Sequence, residues 1–386
     1  MTRVSLLGGR IDEVADVDSA HRICQEPKRA WEKLWQFGGE RLNPILVKEV
    51  RQSLKSRQFE LSFGLTLVAA IGWTLIYIAL GVPRIYYIPG GVELLTGYAV
   101  ILLMPLLILI PFAAFRSLTS EIEESTYELL SISSLTARQI VTGKMATAAL
   151  QILLYVSALA PCIVLTYMLR GVSLVSVFIL LFAAVAYSVM LVSCALLLAT
   201  VSRTRAGQSG MSVGLLALLV ISFFASITSI LDGAIREIVS SSPPREVFVA
   251  IFAIVTILAA TFSLLMQTAA AAIDFPSENK STPIRKRLLI LLSVLVFWLV
   301  LATFAAGDDA GRVISDTYLP ILVAFFVAWT AIGGMVCGER GVIAPRARRT
   351  LPKTFAGRVM LTWLSPGAGL GYVFLVTVFA SVAILL

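Results

Sequence analysis

Long uncharged apolar stretches alternate along this chain with short polar connections, and nine of the stretches approach or exceed the length of a membrane crossing. They run approximately over residues 61–82, 94–115, 145–169, 172–200, 208–231, 247–273, 288–306, 317–337 and 359–386. A hydrocarbon core about 30 Å thick takes roughly 20 apolar helical residues, so each stretch predicts a transmembrane helix. The fourth is long enough to tilt or to emerge from the bilayer. The ninth contains Pro366 and Gly367, which predict a kink or only partial insertion. The pattern predicts an all-α polytopic membrane protein. A polar N-terminal segment (1–60) precedes a six-span core (61–273), and three further spans fill residues 274–386. No basic stretch followed by an apolar core and a small-residue cleavage site opens the chain, so a retained N-terminal segment is expected.

Two polar segments carry helical periodicity of their own. Asn43 to Arg57, NPILVKEVRQSLKSR, opens with Asn at a cap position and Pro at the first helical position, where a missing N–H costs nothing. Leu46, Val47, Val50 and Leu54 then form an apolar stripe, while Lys48, Arg51, Gln52 and Lys55 fall elsewhere on the wheel. This predicts an amphipathic helix in the membrane interface, with its basic side chains toward anionic headgroups. The second segment, Arg116 to Lys144, is the longest internal loop on that side of the membrane. Glu121, Glu123, Glu124 and Glu128 crowd its first half, and Leu118, Ile122, Leu129 and Leu130 give it an apolar side. Ser131 to Thr136 breaks the pattern, and Arg138 with Lys144 begins the next helix. Such an acidic helix between two spans suits docking into a groove on a partner, and suits a solvated face equally well.

Composition agrees with the pattern. Of the 386 residues, 58% are hydrophobic and 14% charged, against about 45–50% and about 25% in soluble domains. Gly and Pro contents are ordinary, which excludes fibrous and low-complexity classes. Four cysteines without paired spacing make neither a disulfide framework nor a zinc site. Of the 31 Lys and Arg residues, 26 fall on the side of the N-terminal segment and 5 on the other. That asymmetry predicts a cytosolic N-terminus. It also accounts for the formal charge of +8 without nucleic-acid binding. The basic cluster Arg340 to Arg358 has Pro345 and Pro352 and no periodicity, and reads as a topology anchor or an anionic-lipid contact.

Several chemistries are disfavoured. No Asp, Glu, Lys, Arg or His lies within the nine stretches away from their ends, whereas proton-coupled transporters place an ionisable group at membrane depth. A sodium site of backbone carbonyls and hydroxyls remains open. The sole histidine, His21, lies in the N-terminal segment, so no histidine-ligated metal site or histidine triad can form. Gly143-Lys144 is followed by Met145 and lacks the earlier glycine of a Walker A loop. The sequence thus predicts no catalytic, metal or nucleotide site, and any ATP hydrolysis belongs to another polypeptide.

The two polar segments together resemble the permease subunit of ABC-2 type (type V) exporters. NPILVKEVR matches the family's elbow helix, here Asn43, Pro44, Lys48, Glu49, Arg51 and Lys55. EESTYELLSISSLTARQIVTGK matches its coupling helix and the lead into the third span. By position, Glu124, Thr126, Glu128, Leu129 and Leu130 fit the family's acidic-Gly-Thr-x-Glu-Leu-Leu pattern, with Ser125 in the usual glycine place. Arg138, Ile140, Gly143 and Lys144 fit its Arg-x-Ile-x-x-Gly-Lys pattern, and Ser134 stands where Pro is frequent. The likeness covers roughly residues 43–273 and implies a bacterial inner-membrane permease. It implies a separate ATP-binding subunit carrying ATP and Mg, a second permease copy or a homologous permease, and coupling through Glu121, Glu123, Glu124, Thr126, Glu128, Leu129, Leu130, Arg138 and Lys144. Residues 231–246 would match the family's re-entrant outer helices, and read equally well as a plain loop. Two other functions stay open on the residues alone: a non-transporting scaffold that recruits an ATPase, and an ion-coupled secondary transporter.

Overall fold

The computed structural model describes residues 44–81, 90–123, 136–169, 172–201, 204–232, 243–274 and 280–306, and at the C-terminal end 329, 354–355, 363–365 and 367–385. Every regular element among them is helical. In chain order these are α1 (Pro44–Leu54), α2 (Arg57–Gly81), α3 (Gly91–Met104), a π-helical segment (Pro105–Leu109), α4 (Ile110–Glu123), α5 (Ala137–Met168), α6 (Leu174–Val201), α7 (Arg205–Leu231), α8 (Pro244–Ile273), α9 (Ser281–Ala306) and α10 (Ala368–Leu385).

Seven helices among the described residues are long and apolar enough to cross a bilayer, with α3, the π segment and α4 joined as one span. They coincide with the first seven stretches read from the sequence. The eighth stretch, apart from Trp329, lies outside the described residues. The ninth contains α10, an apolar helix of 18 residues. Gly367 has φ 147°, a backbone region that strongly favours glycine, and its carbonyl accepts from the Gly371 N–H at 2.7 Å. α10 follows directly on Gly367, while Pro366, where the sequence predicts a kink or only partial insertion, lies outside the described residues. Large apolar side chains such as Leu61, Leu65, Val68, Ile71 and Leu75 of α2 stand exposed, as do Phe248 and Phe252 of α8. Contiguous apolar surface on this scale is stable against lipid and not against water. The chain is an all-α multi-pass membrane protein.

The second span is the hub. It is 61% buried, and the next most enclosed span reaches 28%. Tyr98, Leu102, Leu106, Leu107 and Phe115 are almost fully enclosed by α5, α6 and neighbouring helices. The π turn in this helix follows from two prolines. Ile110 donates its N–H to Pro105 O instead of to Leu106 O, and the next residue, Pro111, has no N–H to offer. Leu106 O is thereby orphaned within its own helix, and the Ser188 hydroxyl of α6 donates to it at 2.6 Å. In a membrane interior a bare carbonyl costs several kcal/mol, so Ser188 both repairs and registers the helix pair.

Polar seams set the other contacts. α2 is held to α5 by a hydrogen bond between Ser62 and Tyr155 (2.8 Å), inside a cluster of Phe59, Phe63 and Tyr155 rings. It is held to α3 by Thr74 with Tyr98 (2.6 Å) and by Trp73 Nε1 donating to Leu94 O (3.3 Å). Gly97 on α3 lies directly beneath the Trp73 indole, where a Cβ would overlap the ring. Gly97→Ala is therefore expected to destabilise by about 1–3 kcal/mol, because ring or helix must move. At Gly64 a Cβ meets open space, so Gly64→Ala should be neutral or slightly stabilising. Thermal unfolding of the two variants in the same detergent checks this contrast.

Candidate functional site

Three of the polar residues singled out above, Glu49, Glu121 and Lys144, meet at one end of the bundle, where α1, the end of α4 and the start of α5 converge. α1, described from Pro44, packs chiefly on α5, with a lesser contact to α2. Helix α5 begins with a capping box. Thr136 Oγ1 accepts the Gln139 N–H at 3.3 Å, and Gln139 Oε1 accepts the Thr136 N–H at 2.9 Å. Two orphan donors are satisfied reciprocally, which fixes where the helix starts and hence which face Lys144 occupies.

Lys144 is buried, with its side chain 2% exposed. Its Nζ donates to Glu49 Oε1 of α1 at 2.9 Å, and to Ser117 Oγ and Glu121 Oε1 of α4, each at 2.8 Å. An ammonium carries three N–H groups, so these three acceptors from two other helices use all of them. Ser117 and Glu121 are four residues apart and share one face of α4, which is why one ammonium reaches both. Glu49 is the more enclosed carboxylate, 14% exposed against 32% for Glu121. Burial, the largest influence, pushes the Glu49 carboxyl above its ordinary 4.5; the Glu121 charge adds to this, and Lys144 and the Thr147 hydroxyl oppose it.

The seam continues along α5. Gln151, two turns beyond Lys144, donates to Ser53 Oγ, one turn beyond Glu49 on α1. At the opposite edge Arg138 donates to Gln267 Oε1 of α8 at 2.6 Å. α5 is thus bound by polar contacts to α1, α4 and α8 within its first four turns.

The sequence-predicted residues divide as follows. Glu49, Glu121 and Lys144, read from two separate segments, form one cluster. Arg138 is exposed yet bound to α8, while Arg51 and Lys55 are exposed. Glu123 ends α4 and Lys48 lies within α1, and their side chains are outside the described residues. Asn43, Glu124, Thr126, Glu128, Leu129 and Leu130 also lie outside them, as do residues 233–242 of the outer segment 231–246. Leu118 and Ile122 supply the apolar side expected of the loop's first part, Leu118 being fully enclosed. That part is a continuation of the second span rather than a free loop.

Glu49 and Ser53 lie on α1 beside Val50 and Leu54, and such polar interruptions of an apolar stripe are a signal that could have pointed to an ion pair. Ser117, Thr147, Gln151 and Gln267 carried no distinguishing spacing. Among the described residues no three His, Cys, Asp or Glu side chains are grouped to hold a metal. Compared with models of known families and with curated proteins, the chain matches none.

Proposed function

We propose that the chain is the membrane-spanning permease subunit of an ATP-driven ABC exporter, coupling a separate ATPase subunit to substrate movement across the membrane. The observation that carries this reading is the Lys144 cross-tie, which joins α1 to both helices flanking residues 124–135. A transducer has to deliver a displacement without absorbing it, and a buried ammonium with all three donors engaged is a stiff joint. The segment 124–135 contains Glu124 and Glu128 and is the proposed docking surface for the ATPase, with the N-terminus and this end of the bundle in the cytosol. The positive-inside asymmetry of Lys and Arg supports that orientation. Arg138 extends the path to α8 through Gln267, so a push on the docking segment would reach spans two, three and six together. A second permease copy and the lipid bilayer complete the assembly in this reading. ATP and Mg reside in the partner.

The reading is tested by charge reversal. With Glu124→Lys and Glu128→Lys combined, an ATP-hydrolysing partner that co-purifies with the wild-type chain should be lost by roughly tenfold or more, since like charges facing across an interface cost several kcal/mol. Unchanged association would remove the docking assignment. Retained association without ATP-dependent substrate movement in the wild type would favour a scaffold.

A further inference from the structure

We propose that the protein binds one acyl chain of a membrane phospholipid in an aliphatic cleft inside its own bundle, between α3, α5, α6 and α7. The inference stands on the walls and the position of the cleft and is independent of the transport reading.

The cleft holds about 310 Å³ of free space, its open mouth included, and the described residues that line it are all Leu, Ile or Ala. Its floor is closed by Ala99, Leu102 and Leu103 of α3 and by Ile163 of α5, all of them buried. At the mouth Leu180, Leu181 and Ala184 of α6 and Ile230 of α7 are half-buried. Their chain neighbours Phe178, Phe182 and Leu231 are exposed, so the mouth opens where the bundle meets lipid. Alanine stands at one floor position and one mouth position, and the missing side-chain volume leaves the space between the helices unfilled.

The element order gives the depth. α3 starts at Gly91 and α6 at Leu174, at the end of the bundle away from the Lys144 cross-tie. Leu95 lines the cleft one turn inside the start of α3, and Leu103 lines it eight residues further on, about 12 Å of helix rise. The cleft thus runs lengthwise through the hydrocarbon of one leaflet.

Three constraints select its occupant. Water is excluded, because a buried water needs several polar partners and these walls supply none. Left empty, the walls lose dispersion contacts that a close-packed interior normally keeps. A drug-like ligand is oriented by a few placed polar groups, and no hydroxyl, amide or charged side chain lines the cleft among the described residues. An unbranched hydrocarbon chain needs none of these, and the leaflet beside the mouth provides it. The gain on binding is the filled void, since moving a chain from lipid to an aliphatic wall carries no hydrophobic term.

The test uses full-length protein in phosphatidylcholine nanodiscs doped with a phosphatidylcholine that carries a diazirine near the middle of one acyl chain. Light converts the diazirine to a carbene that inserts into C–H bonds, and mass spectrometry maps the adducts. The expected result is adducts on the buried Leu102, Leu103 or Ile163, together with adducts on the lipid-facing Leu65 and Val68 of α2. Ala184→Phe, which plugs the mouth, should abolish the interior adducts and leave those on α2 unchanged. Ala99→Leu, which fills the floor, should do the same and serves where Ala184→Phe does not fold. Absence of interior adducts from the wild type, as when a second copy of the chain covers the mouth, overturns the proposal. So do interior adducts that survive either filling, or that form with a diazirine fatty acid and not with the phospholipid.

Discussion

Lys144→Met is expected to be the most damaging single substitution at this end of the molecule, costing about 3–5 kcal/mol near neutral pH. The methionine fills a similar volume, so the loss is electrostatic. Glu49 and Glu121 would face one another without their shared cation, and Ser117 would lose its donor. Glu121 is about one-third exposed and can recruit water, so the larger part of the cost falls on Glu49. Lowering the pH should shrink the defect, because a protonated Glu49 no longer requires the ammonium. Adding Glu49→Gln to Lys144→Met should recover most of the loss, giving a large positive coupling in a double-mutant cycle. Lys144→Arg should recover less, since a planar guanidinium does not fit three acceptors that converge on one point. The measurement is reversible unfolding in mixed micelles for the four variants. A Lys144→Met cost below about 0.5 kcal/mol, the size seen for exposed pairs, would mean that the cross-tie bears no strain.

That prediction could not have been framed from sequence, although its ingredients were visible there. Membrane spans are legible because lipid imposes one rule on every residue of a stretch, and the first seven stretches correspond to the seven long helices. The helicity of Pro44–Leu54 is legible for a similar reason: its apolar stripe is set by residues three and four apart. Glu49, Glu121 and Lys144 stood in the sequence as members of two separate segments, and nothing in the spacing of residues 95 positions apart says that Lys144 closes on Glu49. The carboxylates of the second loop looked equally suited to a solvated face. Glu121 is instead turned against Lys144, because the second span runs on as helix past the membrane boundary to Glu123 and keeps its register there. The π turn was hidden for the opposite reason. Pro105 and Pro111 announce a disturbance, but whether it becomes a kink, a break or a π segment depends on a donor in another helix, here Ser188.

Arg285 shows the same limit and yields the second large effect. In the sequence it is one of four basic residues between the sixth and seventh stretches, and counts as a topology determinant. In the structure it is 1% exposed on α9, and its Nη1 donates to Ser365 O at 2.7 Å and to Trp363 O at 3.3 Å. Its guanidinium carbon stands 5.6 Å from the centre of the Phe374 ring of α10. Thr282, one turn earlier on α9, donates to Leu364 O at 3.1 Å. Leu288, Trp329, Leu364, Phe374, Leu375 and Val378 form a separate apolar cluster around this contact. The C-terminal residues are thus fastened to α9 by a charged group whose hydrogen bonds are worth about 1.5–3 kcal/mol each, with a desolvated cation–π contact adding about 2 kcal/mol or less. These terms are not additive, and part is offset by the desolvation of the guanidinium. Arg285→Met is therefore expected to cost about 2–4 kcal/mol, concentrated in residues 363–385. Arg285→Lys should rescue little, because an ammonium cannot lie flat over Phe374 while reaching both carbonyls. Lys286→Met, at the exposed neighbouring position, serves as the control and should change nothing beyond about 0.5 kcal/mol. Hydrogen exchange resolves the outcome by segment. Faster exchange in α10 with α3 to α6 unchanged is the expected pattern. Equal loss of protection in every helix would mean that the C-terminal residues do not form a separately fastened unit.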